Sequence, residues 1–499
     1  MVKTFNWRRL ICMLGFLIIV EGIFMLLASS VDFFYVKNLN ELIHNNRGFT
    51  ALLLSGAITI GFGLIFYLIG FRSSKEVGVR EGYSIVSLVW IFFSLFGMLP
   101  FLLSGVTGNI TDAFFESMSG FTTTGSSVLA DIEVLPHSML FWRSLTQWLG
   151  GMGIVVLSLA ILPFLGVSPQ LFTAEASGTN VNKLSPQIKD TARRLWGLYA
   201  VLTLILAGLL YIEDMGIFDA INHALTTLAS GGYSTKNNGI LYWNSPLIHY
   251  TLIFFMFIAG VSFTLLYFAF AKMQFSKLFK DEEFKTYFFV LLITAFLILI
   301  IISLTSNPIN SVSDLERNFR DSLFQVTAVI SSSGFYIADH TQWIPLAWIL
   351  ILLLKFSGGM AGSTSGGMKM IRIVIMFKNC VYELKRLLHP NAVIPLRINK
   401  KVLNDTVAVN VYAFMFLFMM LLLVGFLALI LAQMPVKEAF VTSLSCISNI
   451  GMSIGEFGLE GNYALATVPA KWIMSFLMLI GRLEIFTVVL LFSRDLWRK

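Results

Sequence analysis

Four fourteen-residue segments at nearly constant spacing constrain this chain more than any other feature. They are DAFFESMSGFTTTG from Asp112, DAINHALTTLASGG from Asp219, DSLFQVTAVISSSG from Asp321 and EAFVTSLSCISNIG from Glu438, with successive starts 107, 102 and 117 residues apart. Each opens on a carboxylate followed by Ala or Ser. Each closes on a small or polar triplet, with one Ile in the fourth, and then a glycine. Each also lies between two apolar runs. A repeat at fixed period sets the architecture, so the chain reads as four copies of one unit preceded by an extra segment.

The apolar runs say where those units sit. The 499 residues are 57% hydrophobic and 13% charged, against about 25% charged in soluble domains, and a helix needs roughly 20 apolar residues to cross a bilayer. Candidate spans cover 10–29, 51–71, 84–104, 139–165, 196–212, 247–271, 286–304, 343–385 (interrupted), 406–432 and 470–492. The first run, behind Lys3, Arg8 and Arg9, reads as a retained helix because no small-residue cleavage site follows it. With the N-terminus inside, 25 of the 35 Lys and Arg fall on the inner segments and six on the outer ones, which puts both termini in the cytoplasm. The net charge of +7 is thus a topology signal. Spread over six short segments, the basic residues make no nucleic-acid surface. Cys12, Cys380 and Cys446 are scattered, no HExxH occurs, and no nucleophile–base cluster lies at membrane depth, so nothing points to a metal centre, a disulfide framework or an enzyme.

One repeat can be read physically. The acid favours the positive end of a helix dipole. Nine or ten helical residues then rise about 15 Å, half the hydrocarbon thickness. Such a helix enters the membrane without crossing it and aims its partly negative C-terminal end at the midplane, where a cation gains from four such dipoles. Beyond it come Thr122-Thr123-Thr124-Gly125, Ala229-Ser230-Gly231-Gly232, Ser331-Ser332-Ser333-Gly334 and Ser448-Asn449-Ile450-Gly451. Irregular backbone at this depth must be buried in protein or line a water-filled path. Four such strands around one axis make rings of carbonyl oxygens able to replace the hydration shell of potassium. The competing explanation, small residues at helix–helix contacts, fits one segment but not four in matching register.

Two further features stand out. Ser357 to Gly367 holds five glycines in eleven residues and interrupts the eighth span below the third segment. It cannot continue a straight helix and suits a loop that blocks or opens a path, or else a kink for close packing. Arg482 lies mid-span in LMLIGRLEIFTVVLL, and a charge there faces the protein interior or a cavity. It is expected to bond carbonyls of the 357–367 loop and repel cations; a buried ion pair is the alternative. His223 reads as a structural hydrogen-bonding residue, Cys446 as a packing residue, and Arg143 and Trp148 as anchors of the first repeat's second helix. Glu21 has no evident partner in the sequence.

The TTTGS at 122–126, GGMAGSTSGGMK at 358–369 and GRLEIFT at 481–487, with the four-repeat layout, resemble the Trk/Ktr/HKT superfamily of potassium transporters. The extra spans over about 10–71 resemble its TrkH branch. The resemblance implies an all-α polytopic fold: an N-terminal helix pair (1–75) and four helix–pore-helix–filter–helix repeats (76–180, 181–282, 283–400 and 401–499) around one pore. It implies that Gly125, Gly232, Gly334 and Gly451 are the filter glycines. Potassium ions are then expected at Thr123, Thr124, Ser230, Gly231, Ser332, Ser333, Asn449 and Ile450. It assigns Gly358, Gly359, Gly362, Ser363, Thr364, Gly366 and Gly367 to an intramembrane gate approached by Arg482. It further implies a homodimer in the bacterial inner membrane, a cytosolic TrkA-type nucleotide-binding regulatory subunit, and no cofactor beyond the transported ion. A serine at the first filter glycine favours sodium in plant relatives, so Gly125 supports potassium. The all-serine third segment and Asn449-Ile450 in the fourth depart from the family pattern and make the ring only pseudo-fourfold. A carrier coupled to protons or sodium competes with this reading, but the embedded ionisable groups are few: Glu21, Lys355, Arg482 and Glu484. No inner segment exceeds 36 residues, too short for a nucleotide-binding fold.

Overall fold

The computed structural model describes residues 5–35, 47–73, 79–153, 188–403, 405–458, 462–483, 485–491 and 493. The span expected at 139–165 runs past 153 and so lies partly outside the described residues, as does Glu484. Among the described residues the chain is mostly helical with almost no strand, and six helical stretches are long and apolar enough to cross a membrane. It is a polytopic all-α membrane protein.

Helices α1 (Trp7–Ser29) and α2 (Arg47–Gly70) form an N-terminal pair. Small residues let them approach closely: a Cβ on Gly15 would lie 2.5 Å from the Tyr67 nitrogen, and one on Gly63 would lie 2.7 Å from Ile19. Four units follow. The first has α3 (Val79–Gly97), the half-length α4 (Ile110–Phe121) and α5 (His137–Trp148). The second has α6 (Ile188–Ile212), α7 (Ile217–Leu228) and α8 (Pro246–Ala259). The third has α9 (Glu282–Leu304), α10 (Val312–Ile330), α11 (Pro345–Leu354) and α12 (Met370–Leu388). The fourth has α13 (Asp405–Leu431), α14 (Val436–Ile447), α15 (Val468–Arg482) and α16 (Phe486–Leu491). A two-residue hairpin, β1 (Arg397–Ile398) with β2 (Lys401–Val402), joins α12 to α13.

Helices α4, α7 and α14 are twelve residues each, about 18 Å. Each carries its acid, Asp112, Asp219 or Glu438, in the first turn. The third repeat differs. Helix α10 starts at Val312 and puts Asp321 in mid-helix, because Ser311 caps the earlier start through the Asp314 amide and Glu316–Arg320 and Arg317–Asp321 pair at i,i+4. Two expected spans are also broken. The 247–271 run bends by 105° between Ala259 and Phe263, where the Gly260 carbonyl accepts from Met360 instead of continuing a helix. The last run stops at Arg482 and resumes at Phe486.

The α1–α2 contact yields a paired test. Gly63→Leu overpacks the contact and should cost about 1–3 kcal/mol, seen as earlier thermal unfolding in detergent. Gly61→Leu, on the same helix with nothing within 4 Å of its Cβ position, should leave the midpoint unchanged or higher.

Candidate functional site

Helices α4, α7, α10 and α14 end alike. Their last residues pass into Thr122, Ala229, Ser331 and Ser448 in the right-handed or neighbouring region. The next residue in each is left-handed: Thr123 (φ 53°), Ser230 (58°), Ser332 (56°) and Asn449 (52°). In three repeats this is a Schellman cap. Thr123 N bonds Gly120 O and Thr124 N bonds Ser119 O; Ser230 with Thr227 and Gly231 with Thr226 repeat the pattern, as do Asn449 with Cys446 and Ile450 with Ser445. The third repeat keeps the first bond, Ser332 N to Val329 O, and replaces the second with Gly334 N to Ala328 O. Such a cap is ordinarily glycine. A β-branched Thr123 in this conformation is a backbone outlier of the kind that persists only where its surroundings over-determine it.

Two residues on, Gly125 (φ 84°), Gly232 (80°), Gly334 (74°) and Gly451 (80°) are left-handed again. Positive φ at alternate positions turns successive peptide planes so that their carbonyls face one side, unlike a β-strand. The glycines also interlock. A Cβ on Gly125 would overlap the Gly231 carbonyl oxygen, one on Gly232 the Ser333 oxygen, one on Gly334 the Ile450 oxygen, and one on Gly451 the Thr124 oxygen. The four segments therefore stand around one axis in chain order, and the fourth closes onto the first. Beyond the glycine end a cavity opens, lined in part by Gly125, Gly232, Gly334, Gly451, Lys236 and Tyr336.

Side chains brace the ring differently in each quadrant. Thr122 and Thr124 pair hydroxyls at 2.8 Å, and Ser331 and Ser333 do the same at 2.8 Å, so the all-serine segment keeps this contact without the methyl groups. Gln147 Nε2 donates to Gly231 O (2.7 Å), and its Oε1 accepts from Tyr233 N (3.1 Å). Asn449 Nδ2 reaches across to Thr124 Oγ1 (3.0 Å) and Met478 O (2.9 Å). Lys355, 2% exposed, donates from Nζ to Met452 O (2.7 Å) directly after the fourth glycine.

Behind the first and second segments lies a buried ion pair. Arg143 Nε meets Glu116 Oε1 at 2.9 Å with both side chains almost fully buried. Glu116 also accepts from Ser127 Oγ and Val128 N, while Arg143 donates to Ser234 O and lies over the Tyr233 ring. Tyr233 in turn donates to Glu116 O and Ser126 O. Sequence reasoning singled out Arg143 but neither Glu116 nor Gln147. The available signal was two opposite charges in the apolar stretches of one repeat. His223 has both ring nitrogens engaged: Nδ1 faces Asp219 O and so donates, leaving Nε2 to accept from Ser234 Oγ.

On the side opposite the cavity, residues 357–369 fold into a loop pressed against the ring. Gly358 N bonds Met368 O, and Gly359 N bonds Ser365 Oγ. A Cβ on Gly358 would overlap the Gly366 carbonyl, and Gly362 and Gly367 have positive φ. Ser363 Oγ turns back onto Met360 O. Thr364 Oγ1 contacts Ser230 Oγ (2.9 Å) and Leu228 O (2.9 Å), and Gly366 N donates to Ser332 Oγ (2.6 Å). Arg482 Nη1 donates to Thr364 O (2.8 Å), and its Nη2 donates to Gly150 O (2.6 Å) and Gly151 O (2.5 Å). All seven loop residues singled out from the sequence, and Arg482, thus lie in one assembly beneath the ring. Glu21 is elsewhere. It is 1% exposed, points toward Gly97, and has no hydrogen-bond partner among the described residues.

The Glu116–Arg143 pair sets a stability test. Glu116→Ala strands a buried guanidinium and should cost about 3–5 kcal/mol in denaturation of the purified protein. Adding Arg143→Met should recover part of that loss; a double variant as unstable as the single one would contradict the pairing.

Residues 51–499 match the family model for TrkH, described as a cation transport protein. A Trk system potassium uptake protein TrkH from Halomonas elongata is 38% identical over 90% of this chain and 92% of that protein. Its counterpart in Salmonella typhimurium is 35% identical over 99% of this chain and 100% of that one. The crystal structure of the potassium transporter TrkH from Vibrio parahaemolyticus superposes with a TM-score of 0.87 at 32% identity, covering 99% of this chain and all of that one. With the ring and its loop, these matches make the chain a member of the TrkH family of cation transport proteins.

Proposed function

We propose that this protein takes up potassium through a gated, channel-like path along the axis of the four segments. One observation carries the reading: the closed ring of Thr124, Gly231, Ser333 and Ile450 carbonyls. Rings of this kind can stand in for the water shell of a desolvated cation at no reorganisation cost, and potassium is the ion named for the relatives. Four helix C-terminal ends at the same place add partial negative charge. The ion-holding residues are those around that ring: Thr123, Thr124, Ser230, Gly231, Ser332, Ser333, Asn449 and Ile450. In this reading the loop 357–369 is the gate and Arg482 its latch, since a guanidinium below the ring opposes cation passage while it holds Thr364 in place.

The repeat boundaries proposed are 76–180, 181–282, 283–400 and 401–499, after a helix pair at 1–75. The distribution of Lys and Arg favours cytoplasmic termini in a bacterial inner membrane. A homodimer with a separate cytosolic nucleotide-binding regulator fits a chain named for a multi-component system in its relatives. The task is transport rather than catalysis. A second reading, uptake coupled to protons, draws on Glu21, a buried carboxylate without a hydrogen-bond partner among the described residues.

Flux into liposomes separates these readings. Potassium and rubidium should pass faster than sodium and lithium, with or without a pH gradient. A rate that needs that gradient, and is lost in Glu21→Gln, would favour the coupled carrier. Gly125→Ala, which forces a left-handed alanine against the Gly231 carbonyl, should lower potassium flux at least about tenfold. Arg482→Ala should raise resting flux; unchanged flux would remove the latch from this account.

A further inference from the structure

The loop beneath the ring is held from a direction that neither the sequence motifs nor Arg482 accounts for. Glu283 lies in the first turn of α9 and is 8% exposed. Its Oε1 accepts two backbone amides, Ala361 N at 2.7 Å and Ile371 N at 3.0 Å. Ala361 is on the descending leg, and Ile371 is in the first turn of α12, into which the returning leg runs. The second bond also satisfies one of the amides that the start of α12 leaves without an intrahelical partner, and it sets a carboxylate at that helix's positive end. One carboxylate oxygen therefore ties the descending leg and the start of α12 to a helix outside the loop.

The start of α9 is itself fastened to the hairpin. Asn399 Nδ2 donates to Asp281 Oδ2 (2.8 Å), and Asn399 Oδ1 accepts from Glu282 N (2.8 Å). Lys378 Nζ bonds both Glu282 Oε2 (2.6 Å) and Arg397 O (3.1 Å). Asn399 and Lys400 both have positive φ, the signature of a tight type I′ turn, so the hairpin tip is a rigid piece rather than a loose connection. From the exposed hairpin to the loop under the ring there are two steps: Asn399 to the first turn of α9, and Glu283 to Ala361 and Ile371.

We propose that Glu283 is a positioning residue for the transport path, clasping the descending leg of the 357–369 loop and the start of α12, and coupling their position to the 397–402 hairpin at the surface. This rests on the reading of that loop as the gate. Arg482 holds the loop tip at Thr364, whereas Glu283 holds the descending leg at Ala361 and the start of α12 at Ile371, so the two act at different places. A hairpin displaced by a partner or by the neighbouring helix drags the first turn of α9 and slackens the clasp.

The test uses the full-length protein in lipid nanodiscs, with hydrogen exchange read on peptides covering 357–371, and the same variants in liposomes for potassium flux. Glu283→Ala should speed exchange in that region at least about tenfold, as expected for the loss of charge-assisted bonds, and raise resting flux with the potassium-to-sodium ratio unchanged. Glu283→Gln, which keeps an acceptor oxygen, should stay within about threefold of the parent. Asn399→Ala touches no loop residue, yet it should also speed exchange at 357–371, and it stands as the test if Glu283→Ala does not fold. Unchanged exchange in either alanine variant overturns the clasp, and so does an increase spread evenly over the whole molecule. Faster exchange with unchanged flux overturns its role in gating, provided Arg482→Ala raises flux in the same preparation. If neither the parent nor Arg482→Ala passes potassium, the transport reading fails, and the exchange result still decides the clasp.

Discussion

Backbone pressed on backbone at Gly125, Gly232, Gly334 and Gly451 is the constraint from which the rest of the structure follows. At each of these positions the space a side chain would take is filled by a carbonyl of the next segment. Contacts this close allow little freedom of rotation or translation between adjacent units. Helices α4, α7, α10 and α14 must aim at a common point for it to occur, and the flanking helices must stand far enough apart to admit them. Helix packing here depends on small residues and interhelical hydrogen bonds, because lipid provides no hydrophobic force between helices.

Apart from the altered cap of the third repeat, the ring is fourfold in its backbone and not in its side chains. Non-glycine residues in the left-handed region at Thr123, Ser230, Ser332 and Asn449 carry a steric cost of about 1–2 kcal/mol each. The Schellman bonds and the braces offset that cost, but with different chemistry in each quadrant. An amide from α5 serves the second segment, an asparagine joins the fourth to the first, and a lysine just past α11 supports the end of the fourth. A buried lysine behind the fourth segment makes that quadrant chemically distinct from the others. Four chemically different repeats in one chain permit such asymmetry, which four identical subunits would not.

Below the ring, the glycine-rich loop is fixed from several sides and by different means. Its tip hydrogen-bonds two of the four segments and Arg482, and its descending leg meets both the bend after α8 and Glu283. Nearly all of these bonds involve loop backbone. Glycine supplies the close approach and the positive φ, and the surrounding side chains supply the partners. Each contact is a modest hydrogen bond worth about 0.5–1.5 kcal/mol, up to 3 where a charge is involved. The loop is therefore positioned by a sum of separable links rather than by one strong bond.

The sequence by itself determined the units: apolar runs, short helices between them, glycines at their ends and a glycine-rich break in the third repeat. These follow from local properties, namely run length, residue type and period, which need no knowledge of neighbours. Arg143, Lys355 and Arg482 were visible as charges where charge is costly, and Arg482 was expected on a loop carbonyl, as it is at Thr364, but the partners of Arg143 and Lys355 were not visible. Tertiary structure alone decided that Arg143 meets Glu116, that Lys355 reaches the Met452 carbonyl and that Glu283 holds Ala361 and Ile371. It also bent the run after Ala259, where the Gly260 carbonyl accepts from Met360. The reason is the same in each case. A hydrogen-bond partner tens of residues away, often a main-chain atom common to every residue type, leaves no trace in composition or spacing. It exists only once the ring has brought the repeats together.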